Sequence, residues 1–123
     1  MSHIVTINTQ VRDRAAVEAA ARRLQLSPPA EETVRLFSGT VTGLALRLPG
    51  WKFPLVCDLA DGQLHFDNYE GHWGDHTELD RFLQAYAVEK ARLEAHRRGH
   101  RVFEQPLADG SIKLTIQVAG GTA

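Results

Sequence analysis

The sequence predicts an α+β fold, a two-layer sandwich in which a mostly antiparallel sheet carries two helices on one face. Three observations predict it. Short segments rich in apolar and β-branched residues alternate in character with period two. Tight turns separate them, Asp61-Gly62 and Asp109-Gly110 being the strongest hairpin signals. Two other segments space their apolar residues at helical intervals. The predicted order is β-α-β-β-β-β-α-β-β.

Residues 4–11 form the first strand, with Ile4, Val5, Thr6 and Ile7 setting the alternation. Asp13 is a candidate N-cap. Val17, Ala20, Ala21 and Leu24 then place a helix over about 14–25, ended by Ser27-Pro28-Pro29. Its many alanines let it lie close to a sheet. Pro28 to Glu32 reads as a linker. Residues 33–38 and 41–48 read as strands around Ser38-Gly39, with Leu44, Leu46 and Leu48 on one face. Pro49-Gly50 is a turn. Strands over Phe53–Leu59 and Gln63–Asn68 follow, and Gly71 to Asp75 is a loop carrying Trp73. Thr77, with Asp80 three residues on, reads as the cap of a second helix. The stripe Leu79, Phe82, Leu83, Tyr86, Lys90 and Leu93 carries that helix from Glu78 to Arg98, where Gly99 stops it. Strands over 101–106 and 111–118 close a single domain, 1–118. The glycine-rich residues 119–123 form a fraying tail. With both helices on one face, the other face of the sheet is expected to meet solvent or a partner.

Composition narrows the function. The chain has 123 residues, 43% hydrophobic and 24% charged, enough for one domain with its own core. Fourteen Lys and Arg balance fifteen Asp and Glu. That balance excludes a strongly basic nucleic-acid binder while leaving room for a local basic patch. The single cysteine, Cys57, excludes an internal disulfide and a thiolate metal cluster. No apolar run approaches the roughly 18 residues of a membrane helix, and the first residues lack the pattern of a signal peptide. These features predict a cytoplasmic protein without a membrane partner.

Charge is segregated along the chain. Residues 53–80 hold seven acids and no Lys or Arg, whereas Lys90, Arg92, Arg97, Arg98 and Arg101 crowd the end of the second helix. Acids near a helix N-terminus and bases near its C-terminus are what the macrodipole favours. The same bases, Arg92, Arg97, Arg98 and Arg101, are candidates for a weak, salt-sensitive nucleic-acid contact. No aromatic side chain interleaves with them, which argues against base stacking.

The chemistry-bearing patterns are few. His72 and His76 stand four apart, with Asp67 and Asp75 nearby. Imidazoles and carboxylates together are ligands for zinc or another divalent cation. Gly71 and Gly74 argue against the helix that this spacing needs, and a polar loop leading into a helix cap accounts for the same residues. Cys57 lies in an apolar strand, as an inert buried thiol does. There is no Walker loop, dinucleotide fingerprint or nucleophile elbow. The aromatic residues Trp51, Phe53, Tyr69 and Trp73 fall in turns and strand ends between Pro49 and Asp75. Side chains of this kind are either lids on a core or anchors of an interface.

Several short motifs occur in a specific order along nearly the whole chain: Asn8-Thr9-Gln10-Val11-Arg12-Asp13 after the opening Met1-Ser2-His3-Ile4, then Pro49-Gly50-Trp51, Asp67-Asn68-Tyr69, Trp73-Gly74-Asp75, Leu83-Gln84-Ala85-Tyr86, and Asp109-Gly110-Ser111-Ile112-Lys113-Leu114. In this the chain resembles the domain-of-unknown-function 1257 family, which includes a conserved hypothetical reading frame of cyanobacteria and algal plastids. The resemblance carries no catalytic motif. It implies the company of an AAA-type ATPase, and so a partner-binding role. The expectation is therefore a small accessory protein that docks a larger machine through Trp51, Phe53, Tyr69 and Trp73, with no cofactor. The alternatives are a divalent-metal module or metal-dependent enzyme built on Asp67, His72, Asp75 and His76, and a nucleic-acid contact through the basic helix end. An antiparallel sheet with an open edge also leaves room for a homodimer.

Overall fold

A computed structural model describes residues 4–118. The order of strands and helices is the one expected. Strands β1 (Val5–Asn8), β2 (Ala30–Leu36), β3 (Gly39–Leu46), β4 (Leu55–Asp58) and β5 (Gln63–Phe66) form one antiparallel sheet in the order β1-β5-β4-β3-β2. Helices α1 (Arg14–Arg23) and α2 (His76–Arg97) pack on one of its faces. The last two strands, β6 (Arg101–Pro106) and β7 (Ile112–Gln117), pair only with each other among the described residues and dock on α2. The expected tail, 119–123, and the first three residues lie outside the described residues.

The main core follows from the alternation. Leu44 and Leu46 of β3, Leu55 and Cys57 of β4, and Leu64 and Phe66 of β5 point to the helices. They meet Ala16, Val17, Ala20 and Ala21 of α1 and Leu79, Phe82, Ala85 and Tyr86 of α2. The alanine-rich face of α1 lets the two helices sit side by side on a narrow sheet.

The second face is closed in part by the chain itself, where solvent or a partner was expected. Val34, Leu36, Ala45 and Val56 form a smaller buried cluster there, with Ile4, Val41 and Phe53 against it. The outer half of the β2–β3 hairpin curls over this face. Gly39, near its tip, comes so close to Ile4, beside the opposite edge strand, that an added Cβ would lie 3.5 Å from Ile4 Cδ1. The curl needs Gly43. A Cβ there would stand 2.6 Å from the Cys57 carbonyl oxygen, closer than any side chain tolerates.

Some boundaries differ for physical reasons. β2 begins at Ala30, inside the expected linker, because Glu31 and Glu32 pair along β3. Glu32 also accepts a hydrogen bond from Arg47 at 3.1 Å. Asp75, not Thr77, caps α2, its carboxylate accepting from the Thr77 backbone N–H at 2.9 Å. The helix thus starts two residues before Glu78. Asp13 caps α1 as expected. Gly99 follows α2 at φ 74°, the left-handed residue that ends it.

Candidate functional site

The four aromatic candidates divide between the two sides of the sheet. Trp51 packs edge-on against Phe66 at a centroid distance of 5.6 Å and against the helix-side core. Its indole N–H donates to the Asp75 carbonyl at 2.9 Å. Gly74 lies flat on the indole, where a Cβ would come within 2.5 Å of the ring. Trp51 is a lid that joins the turn after β3 to the start of α2.

Trp73 faces the other way and gathers the remaining aromatics. Its ring stacks on Tyr69 at 4.8 Å and meets Phe53 at 5.7 Å and Phe37 at 5.3 Å. His72 is tilted against Tyr69 at 4.9 Å. The Lys52 ammonium stands 4.4 Å from the Trp73 ring centroid, within cation–π range. The Lys52 N–H donates to the Trp73 carbonyl at 2.8 Å, tying the two loops together. Phe37 sits at the tip of the β2–β3 hairpin and is 57% exposed, although it touches this cluster. Sequence reasoning passed over it. The signal was there: a large aromatic beside Ser38-Gly39, where a turn offers no core.

The backbone under this cluster is unusual. Tyr69, Glu70 and Gly71 follow one another at φ 48°, 52° and 96°. Two consecutive residues with a Cβ in the left-handed region cost free energy and occur where surrounding contacts enforce them, often at binding sites. The enforcing contacts are visible. Asp67 Oδ1 accepts from the Tyr69 N–H at 3.3 Å. The Asn68 carbonyl accepts from the N–H groups of Gly71 at 3.0 Å and Trp73 at 2.9 Å.

The metal candidates do not converge. Asp67 is buried, its Oδ2 atom without a hydrogen-bond partner among the described residues. His72 leans on Tyr69. Asp75 is spent on the α2 cap, which also holds its carboxyl below the usual range through the Thr77 backbone N–H. His76 faces Asp80 at 3.5 Å on the exposed first turn of α2. Among the described residues no three His, Cys, Asp or Glu side chains are grouped to hold a metal ion. Burial pushes the Cys57 thiol up to about 12, so its thiolate is scarce at neutral pH.

The basic candidates divide too. Arg92 donates to Glu104 of β6 at 2.8 Å, and Arg97 to Glu94 and Asp13 at 3.1 and 3.4 Å. Arg98 and Arg101 are exposed at the junction of α2 and β6. Other charged side chains pair within the fold too. Arg23 of α1 donates to Glu89 at 2.9 Å and to Glu104 at 2.8 Å. Its hydrogen bond, opposed by burial, and Arg92 hold the Glu104 carboxyl low. Lys90 donates to Glu94 at 2.8 Å and to Asp13 at 3.0 Å. Burial works against the Asp13 carboxylate, but the bonds from Lys90 and the Ala16 N–H outweigh it and lower its pKa.

No described helix is long and apolar enough to cross a membrane. Comparison with known proteins finds no family model, no curated protein and no solved structure that matches the chain.

Proposed function

We propose that this chain is a cytoplasmic accessory protein that docks a protein partner through the surface made by Phe37, Phe53, Tyr69 and Trp73, with Lys52 at its margin. One observation carries the reading. Aromatic rings from three separate segments converge outside the main core, on a backbone turn held in a strained conformation, and the outermost ring is more than half exposed. Rigid aromatic anchors of this kind supply much of the energy of protein interfaces. Trp51 has no part in it, because its ring serves the fold.

The resemblance to the domain-of-unknown-function 1257 family makes an AAA-type ATPase the partner to look for first. The test is copurification of the tagged chain from its native organism, with nuclease, read by mass spectrometry. The wild type is expected to retain a stoichiometric protein partner that Phe37→Ala loses while remaining folded. Recovery of the wild type alone, or retention of the partner by folded Phe37→Ala, overturns the reading.

A further inference from the structure

The β6–β7 hairpin holds four of the five exposed large hydrophobic residues among those described: Phe103 53%, Leu107 42%, Ile116 45% and, just past β7, Val118 57%. A two-stranded sheet is marginal by itself. One face of this hairpin rests on α2, but no described strand pairs with the outer edge of β7.

Other strand edges of the molecule are guarded. β2 carries Glu31, Glu32 and Arg35 within seven residues. β6 carries Arg101, Glu104 and Pro106. β1 is four residues long. β7 runs Ile112-Lys113-Leu114-Thr115-Ile116-Gln117 with one charge and neither Gly nor Pro. Apart from Lys113, a strand of that composition lacks the devices that keep edges from pairing.

From this we infer that the outer edge of β7 pairs with β7 of a second copy of this chain, antiparallel, about a two-fold axis at Thr115. The strand is complementary to itself in that register. Ile112 falls opposite Val118 of the second copy and Leu114 opposite Ile116, so each apolar residue of the helix-side face meets another. On the outer face Lys113 falls opposite Gln117, and no like charges meet. An axis at Leu114 would leave Val118 without a counterpart. The pairing converts two marginal hairpins into one four-stranded sheet and extends the cover over the groove between α2 and Ile116, which Ala91, Ala95 and His100 line. An isologous contact of this kind closes on itself and stops at two copies.

The register is tested by sedimentation equilibrium and by cross-linking of the full chain. The wild type is expected at about twice 13.7 kDa. Thr115→Cys places two thiols on the axis, with Cα atoms about 4.5–5.5 Å apart, which suits a disulfide. Copper-phenanthroline oxidation should therefore link it into a covalent dimer, whereas Gln105→Cys, whose thiols lie about three strand spacings apart sideways and about four residues apart along the strands, roughly 19 Å in all, stays unlinked. The native Cys57 is buried and does not interfere. Thr115→Lys sets like charges opposite each other and should weaken the dimer about threefold to fivefold. A monomer at concentrations up to about 100 μM, well above the micromolar range of modest interfaces, overturns the inference. So does a dimer in which Thr115→Cys fails to link.

Discussion

The two sides of the sheet use the same kind of residue for opposite purposes. On the helix side, Trp51 fills the corner between sheet and α2 under a glycine that cannot carry a side chain. On the other side, Trp73 collects Phe37, Phe53 and Tyr69 on the outside of the smaller cluster, where the chain strains its backbone to present them. The difference teaches that proximity in sequence does not make one site. Twenty-two positions separate the tryptophans, yet Gly74 and Asp75 belong to Trp51, and Trp73 belongs to Phe37. A ring that donates its N–H to a backbone carbonyl and packs against the main core is structural. One that rests on other surface rings is free to serve an interface.

The largest loss of stability is expected at Trp51. Trp51→Ala removes a lid and leaves a cavity against Phe66, for a loss of about 3 kcal/mol in urea unfolding. Gly74→Ala forces a methyl group into the same indole and should cost about 1–3 kcal/mol. In contrast, Phe37→Ala should change stability by less than about 1 kcal/mol, since more than half of its surface is already in water.

Between these lies the ionic girdle of the helices. Glu104→Gln leaves Arg23 and Arg92 without their shared carboxylate and should cost about 1–2 kcal/mol. The loss should fall unevenly, with faster amide exchange in β6 and β7 than in the five-stranded sheet, because Glu104 is what ties the hairpin to both helices.

The same girdle sets the smallest effect, a pH dependence. Asp13 and Glu104 titrate lower in the folded chain than in the unfolded one. Their contribution is fully present above the unfolded value, about 4, and is lost as pH falls through the folded values. The urea midpoint should hold from neutral pH to about pH 5 and decline below about pH 4. A double variant, Asp13→Asn with Glu104→Gln, should start lower and decline less.

Much of this was legible beforehand. Leu44 and Leu46 announce the buried face of β3, Asp13 caps the helix it was expected to cap, and Asp109-Gly110 joins β6 to β7. What stayed hidden depends on distant partners. The curl of the β2–β3 hairpin rests on Gly43 meeting the backbone at Cys57 and on Gly39 reaching Ile4, neither of which a local pattern encodes. The segregated charge was visible, and the macrodipole accounts for part of it. The ion pairs that span 66 to 84 positions, Arg23 with Glu89 and Arg97 with Asp13, need the helices side by side and are not visible in it. Tyr86 shows the same limit. It reads as a core position of α2, yet its hydroxyl also accepts from the N–H groups of Arg12 and Asp13, each at 3.1 Å, and fixes the entry to α1.

The proposed division of labour between the two aromatic groups is tested most directly by setting the urea midpoint of Phe37→Ala beside its affinity for the partner sought by copurification. The expected result is a midpoint close to wild type with affinity reduced at least about tenfold, as for a hot-spot ring. A variant that unfolds early, or one that binds as the wild type does, contradicts it.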